Sequence, residues 1–258
     1  MKVVYYLINL DDNTDRYSDA AKHLSEQGIE FIRVPAFDGR KLTPSIHPQY
    51  SKEKCLSYMG RELVGGEIGC YISHLQCANL FIESDADFAV VLEDDFKPAI
   101  ALKNKIGKTL EFLNNVSINW DLINIGNQKI KISTKLFEVE IANEIHELHH
   151  AHYFPMTTTG LIWSRPGAED FIRSSTVFFC PVDNYLRYWL TRKNTGLAFK
   201  PPLLTSSGVE SVIHGTAHKS KYKRHRKLVN LLSMQERLWG EKFIALWHKF
   251  KVILGIHH

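Results

Sequence analysis

Long apolar runs separated by amphipathic and polar stretches run along this chain, and their lengths outline an α/β protein. Residues 3–10 are almost uniformly apolar, as expected of a central strand buried on both faces. Thr14 or Asp15 can cap a helix reaching about Gln27, with Tyr17, Ala20, Ala21 and Leu24 on one side. Gly28 stops it, residues 29–34 read as a second strand, and Asp38-Gly39 signals a turn. Strand, helix and strand at this spacing form a βαβ unit, so the sheet is at least partly parallel. Residues 40–64 look polar and irregular, with Pro44 and Pro48 opposing a helix. A glycine-rich entry, Gly65-Gly66-Glu67-Ile68-Gly69, leads into a helix whose regular part covers residues 71–81.

Phe88-Ala89-Val90-Val91-Leu92 is a short β-forming run that stops at Glu93-Asp94-Asp95. Beyond it the pattern predicts a surface helix over 101–115 and a strand over 120–126. Short strands within 136–154 and another strand over 157–164 follow. Helices open at Pro166 and after Pro181-Val182-Asp183, the second running to about Arg192, and Pro201-Pro202 ends a further extended piece. From residue 218 the pattern changes. A basic cluster over 219–227 precedes Leu228, Leu231, Leu232, Trp239, Phe243, Leu246, Trp247, Phe250, Ile253 and Leu254 at helical spacing. Glu236, Arg237, Glu241, Lys242 and Lys249 fall largely on the other side of that helix. The chain therefore divides into a main domain, 1–217, and a basic amphipathic tail, 218–258.

With 258 residues, 44% of them hydrophobic, the chain can bury a sizeable core. No apolar run approaches the roughly 20 residues needed to span a bilayer. The N-terminal apolar run passes straight into Asp11-Asp12 and reads as a strand, not a signal peptide. Cys55, Cys70, Cys77 and Cys180 have no metal-ligand spacing and suit free thiols in a reducing cytoplasm. The net charge of +4 is more than accounted for by the six Lys/Arg of the 219–227 cluster. A nucleic-acid binder is disfavoured, because only Tyr222 is interleaved with those charges and no reading module is present.

The chemistry concentrates at the acidic strand end. Three adjacent carboxylates repel one another and lose solvation when sheltered, and a hard divalent cation relieves both penalties. In open α/β sheets ligands bind beyond the carboxyl ends of the strands, where a metal and the phosphates it neutralises can share a site. The glycine-rich helix start exposes backbone N–H groups that favour an anion such as diphosphate. His146-Glu147-Leu148-His149-His150 spells the zinc-protease signature, but its apolar and polar residues alternate as in a strand and Pro155 follows closely. That reading is set aside.

Six separated motifs then occur in an order that resembles glycosyltransferase family 25, the lipooligosaccharide galactosyltransferases. They are Ile8-Asn9-Leu10-Asp11 with Arg16; Gly28-Ile29 and Phe31 with Arg33, Ala36, Asp38 and Gly39; Gly66-Glu67-Ile68-Gly69-Cys70 with Ser73-His74; Leu92-Glu93-Asp94-Asp95; Gly160 with Gly167-Ala168; and Pro181-Val182-Asp183, followed by Glu210-Ser211. The likeness covers roughly residues 3–214. An aromatic residue frequent in the family near Gly160-Leu161 is absent, which bears on acceptor choice. The resemblance implies a GT-A fold, a Rossmann-like mixed sheet flanked by helices, and inverting transfer from UDP-galactose to a lipooligosaccharide or lipopolysaccharide core.

By that analogy Asp95 holds Mn²⁺ or Mg²⁺, His214 (with His218 a weaker candidate) completes the metal site, Glu93 reaches the donor's ribose or the metal through its water, and Asp94 supports the pair at the donor. Asn9, Arg16, Ala36, Asp38 and Gly39 lie where a uridine would sit, and Glu67, Ser73 and His74 are donor or acceptor contacts. Asp183 is the candidate general base, its plain alternative being a helix N-cap. The implied partners are a UDP-sugar and a lipid-linked acceptor, with no nucleic acid. The tail is read as a contact with an anionic membrane surface or a second subunit, and the resemblance implies a place on the cytoplasmic face of a bacterial inner membrane. The rival reading is a non-catalytic binding or adhesion module on the same fold.

Overall fold

The computed structural model describes residues 1–116, 118–126, 129–206 and 228–256, the last stretch with side chains from Gln235 onward. Its centre is an eight-stranded mixed sheet. In chain order the strands are β1 (Val3–Asn9), β2 (Ile32–Pro35), β3 (Phe88–Glu93), β4 (Phe96–Pro98), β5 (Leu122–Asn124), β6 (Thr134–Ile141), β7 (Glu144–His150), β8 (Gly160–Ser164), β9 (Gly196–Lys200) and β10 (Leu204–Ser206). The order across the main sheet is β2-β1-β3-β8-β5-β9-β7-β6, and β10 pairs with β4 in a separate two-stranded ribbon. The β1–β2, β1–β3 and β5–β9 pairs are parallel; the pairs made by β8 and β7 are antiparallel.

The helices are α1 (Thr14–Glu26), α2 (Lys52–Met59), α3 (Gly65–Glu83), α4 (Leu102–Asn115), α5 (Arg165–Ser174), α6 (Val182–Lys193) and α7 (Leu228–Ile253). They cover both faces of the sheet, which explains the uninterrupted apolar runs of β1 and β3. Alternate residues feed two cores: Tyr6, Ile8, Ala89 and Val91 pack with Ile68, Phe81 and Phe171, whereas Tyr5, Leu7, Val90 and Leu92 pack with Leu24, Ile106 and Leu110. The expected mixed α/β architecture is what the chain adopts.

Several elements differ from their sequence-based outlines. The second strand starts at Ile32, three residues later than its apolar run, because Gly28 (φ +62°) and the turn after it carry the chain to the sheet edge. Within the polar stretch 40–64, Ser51 Oγ accepts from the Lys54 N–H at 3.3 Å and starts α2, and Gly60 ends it in the left-handed region. The helix expected from residue 71 begins six residues earlier, at Gly65. The supposed surface helix α4 buries one side, including Lys105, which pairs with Glu144 of the β6–β7 hairpin. His146–His150 lie in β7, as the alternation indicated. The His146 and His150 rings bond separately, to the carbonyls of Pro201 and Asn194.

Helix α7 packs on α2 and α6, but through its polar side. Glu241, placed by periodicity among the outward polar residues, is 2% exposed and accepts from Tyr58 Oη at 2.9 Å. Its docking face is completed by Arg237 over the Tyr58 ring and by the fully buried Ala245. The basic cluster 219–227, like Glu210, Ser211, His214 and His218, lies outside the described residues.

Candidate active site

Because β1, β2 and β3 are mutually parallel through β1, their carboxyl ends (Asn9, Pro35 and Glu93) share one edge of the sheet. Antiparallel β8 begins at that same edge, and the Glu93 N–H bonds to the Thr159 carbonyl at 3.1 Å. A cleft of about 430 Å³ opens there, closed on one side by the start of α3 and on another by the start of α6. Asn9, Arg16, Ala36, Asp38 and Gly39 line it, as do Glu67, Ser73, His74, Glu93, Asp94, Asp95 and Asp183. Thus every described residue singled out from the sequence faces one cavity; His214 lies outside the described residues.

Within the acidic triplet, the three side chains have different environments. Glu93 Oε1 accepts from Thr158 Oγ1 at 2.7 Å, meets His74 Nε2 at 3.0 Å, and takes a weaker bond from Cys70 Sγ at 3.6 Å. Burial is the largest influence on Glu93 and acts to raise its pKa, yet these partners together outweigh it and hold the carboxyl below its ordinary value. Burial pushes the Cys70 thiol well up, which keeps it a neutral donor. The Cys70, His74 and Glu93 donor atoms lie within 4.8 Å of one another, a spacing compatible with a metal, although here they hydrogen-bond among themselves. His74 Nδ1 is buried with no partner.

Asp94 is tied down. Asn9 Nδ2 donates to its Oδ2 at 2.7 Å, and Arg16 pairs with its Oδ1. Asn9 is in turn anchored by Arg33, whose Nη2 donates to Asn9 Oδ1 at 3.0 Å. Burial still raises the Asp94 pKa against these two partners. Asp95 is the least compensated. Arg16 Nη2 stands 3.7 Å from its Oδ2, and its Oδ1 is buried without a partner. Burial, and then the charges of Glu93 and Asp94, push its pKa up to about 6.

The other cleft residues divide between structural and open roles. Ser73 Oγ accepts from the Phe37 N–H at 2.9 Å and donates to the Gly69 carbonyl at 2.8 Å, stitching the loop after β2 to α3. Glu67 takes two bonds from Arg61, at 2.8 and 2.5 Å, and one from the Val64 N–H at 2.9 Å. Its carboxylate therefore occupies the positive start of α3, where an anion had been expected. The glycines there serve close packing: a Cβ on Gly39 would lie 2.0 Å from the Gly65 carbonyl oxygen, and one on Gly65 would lie 2.1 Å from that of Gly39. Asp38 is held near pKa 2 by hydrogen bonds from Arg40, which also reaches Asp12 at 2.6 Å. The Ala36 N–H closes the end of β1 by bonding to the Asn9 carbonyl at 2.9 Å.

Asp183 is the second residue of α6, and Pro181 holds the N-cap position, so Asp183 does not cap the helix. Its Oδ1 accepts from the Asn184 backbone N–H at 2.7 Å and from Asn184 Nδ2 at 3.0 Å, and burial raises its pKa. Cys70, Thr158, Arg40, Arg61 and Asn184 were missed from the sequence. Cys70 was quoted as part of a motif, whereas Thr158 reaches Glu93 only because β8 runs antiparallel to β3.

A mixed sheet with carboxylates and arginines clustered in a cleft at its strand ends defines an α/β protein whose cleft lies where such folds bind their ligands. The match to known proteins specifies the class: residues 2–186 fit "Glycosyltransferase family 25 (LPS biosynthesis protein)", and the chain belongs to that family. It is 29% identical over 190 residues to procollagen galactosyltransferase 1 of Danio rerio and 27% identical over 186 residues to procollagen galactosyltransferase 2 of Homo sapiens. These alignments take in 70% of this chain but only about 30% of either relative's length. A crystal structure of a glycosyltransferase involved in the glycosylation of the major capsid of PBCV-1 superposes with TM-score 0.43 at 11% identity, over 82% of this chain and 95% of that one.

Proposed function

We propose that this glycosyltransferase is an inverting, metal-dependent enzyme of GT-A type that moves galactose from UDP-galactose to a lipooligosaccharide or lipopolysaccharide core acceptor. The observation that carries the reading is the asymmetry of the acidic triplet. Glu93 and Asp94 are saturated or tied on one or both oxygens, whereas Asp95 presents a buried, unpartnered Oδ1. An unpaired buried carboxylate oxygen is costly, and a hard cation is the partner that fits it. Asp95 would hold Mn²⁺ or Mg²⁺, with the remaining oxygen of Glu93 and the sequence-named His214 as further ligands. When bound, the metal supplies Lewis-acid neutralisation of the diphosphate leaving group. The donor's galactose identity rests on the names of the relatives, and the acceptor class on the family's description and the resemblance.

The chain's own residues account for the remaining steps. Arg16 and Asn9 fix Asp94 and so orient the strand end, and His74, Thr158 and Cys70 fix Glu93. Asn184 occupies Asp183 Oδ1, and among the described residues no donor reaches Oδ2. That oxygen is free to take a proton from an acceptor hydroxyl as it attacks the anomeric carbon. Burial makes Asp183 a stronger base than an ordinary aspartate. The acceptor is lipid-linked and the enzyme works at the cytoplasmic face of the inner membrane. NMR of the product made from UDP-galactose and a core oligosaccharide tests the reading. A β-linked galactoside is expected. An α-linkage would overturn inversion, and absence of turnover with any UDP-sugar would favour the binding-module alternative.

A further inference from the structure

The helix α7 is attached to the protein by the side that amphipathic patterning would leave in water. Arg237 lies 4.1 Å from the centre of the Tyr58 ring, Tyr58 donates to the buried Glu241, and Arg192 approaches Glu241 at 3.7 Å. The apolar side is thereby turned outward: Trp239, Phe243, Leu246, Trp247, Phe250 and Ile253 are each roughly half exposed or more, from 49% to 70%. Aromatic side chains of this kind carry about 150–250 Å² each. At these exposures the stripe presents several hundred Å², the size at which a contiguous apolar patch marks an interaction surface.

Charge selects the occupant. After Glu241 the chain contains no further acid, while Lys242, Lys249 and Lys251 follow, and six Lys/Arg lie in residues 219–227. Pairing two copies through this stripe would bring Lys242, Lys249 and Lys251 of both helices together, with Glu236 the one exposed acid among the described residues of α7. An anionic bilayer supplies the missing negative charge. Lys242 lies 4.8 Å from the centre of the Trp239 ring and Lys251 5.7 Å from that of Trp247, so cation and indole can share the headgroup layer. Among the described residues no helix is long and apolar enough to cross a membrane. A helix lying in the surface meets both constraints.

We propose that α7 lies flat on an anionic lipid bilayer, inserting Trp239, Phe243, Leu246, Trp247, Phe250 and Ile253 below the headgroups. The inference stands on α7 alone; turnover on a water-soluble acceptor tests the transferase reading separately. Full-length protein is mixed with phosphatidylglycerol-containing or pure phosphatidylcholine vesicles, and sedimentation and quenching by brominated lipids are recorded. Binding to the anionic vesicles is expected, weakened at least about tenfold by high salt. Quenching should be strong, because Trp239 and Trp247 face outward whereas Trp120, Trp163 and Trp189 are buried.

A Trp239→Ser, Phe243→Ser, Trp247→Ser variant should lose at least about tenfold in vesicle affinity. Turnover on a soluble acceptor should be unchanged, since none of the three lies in the docking contacts or the cleft. If near-UV circular dichroism shows that variant misfolded, Lys242→Glu, Lys249→Glu, Lys251→Glu supplies the same test. Wild-type protein that ignores anionic vesicles at low salt overturns the proposal. So does a dimer in sedimentation velocity that the serine variant dissolves, which would assign the stripe to a second copy.

Discussion

The Asp95 side chain should weaken the fold that carries it, and replacing it with asparagine tests this directly. Its pKa is raised from 3.8 to about 6, with burial as the leading cause. Two pKa units correspond to about 3 kcal/mol of cost to the ionised form. Only 18% of the side chain is exposed, so solvent screening removes little of that cost. The folded state holds the proton more tightly than the unfolded chain, so this group favours folding at low pH. That advantage is lost as pH rises through about 4 to 6. Asparagine keeps the shape and removes the charge. In metal-free protein at pH 8, Asp95→Asn should therefore be more stable than wild type by up to about 3 kcal/mol, or roughly 5–10 °C in Tm. The gap should close near pH 4. Differential scanning calorimetry in EDTA at both pH values measures it, and adding Mn²⁺ should then raise Tm in wild type but not in the variant. A variant no more stable than wild type at pH 8, or a gap that persists unchanged at pH 4, would refute the reasoning.

Other consequences are equally open to measurement. Asp183→Asn should lower kcat by about 10²–10⁴ without lowering Tm, because Asp183 is no cap, its bonds are to Asn184 and burial penalises its charge; steady-state kinetics and calorimetry separate lost catalysis from lost stability. Glu67→Gln should do the opposite, costing about 1–3 kcal/mol in urea unfolding with kcat within a few-fold, since Glu67 ties Arg61 and the start of α3. Gly39→Ala should destabilise by about 3 kcal/mol or more in the same assay, because its Cβ would meet backbone at 2.0 Å and not a movable side chain.

Much of the site was legible because parallel strands share a carboxyl edge. Once β1, β2 and β3 were read from their apolar runs, Asn9, Ala36 and Glu93 had to converge. What the sequence concealed were pairings made across the fold. Ser51 and Gly60 bracket α2 with ordinary cap residues, but two nearby prolines masked them. Glycines at the start of α3 suggested an anion cradle, whereas the loop after β2 packs against them and Glu67 occupies the positive helix end. Helical periodicity placed Glu241 outward, yet Tyr58 and Arg192 lie far from it in sequence and bury it. Periodicity describes which residues share a face; it does not say which face finds a partner.

On the proposed function, this cleft turns over a nucleotide sugar with a divalent metal held at Asp95. This is tested most directly by UDP release from UDP-galactose by the purified protein, titrated with Mn²⁺ after metal is stripped with EDTA, in wild type and Asp95→Asn. Turnover should fall to background in EDTA, return with Mn²⁺ or Mg²⁺ in wild type, and fail to return in the variant. Full activity in excess EDTA, or metal-restored activity in Asp95→Asn, would contradict that function.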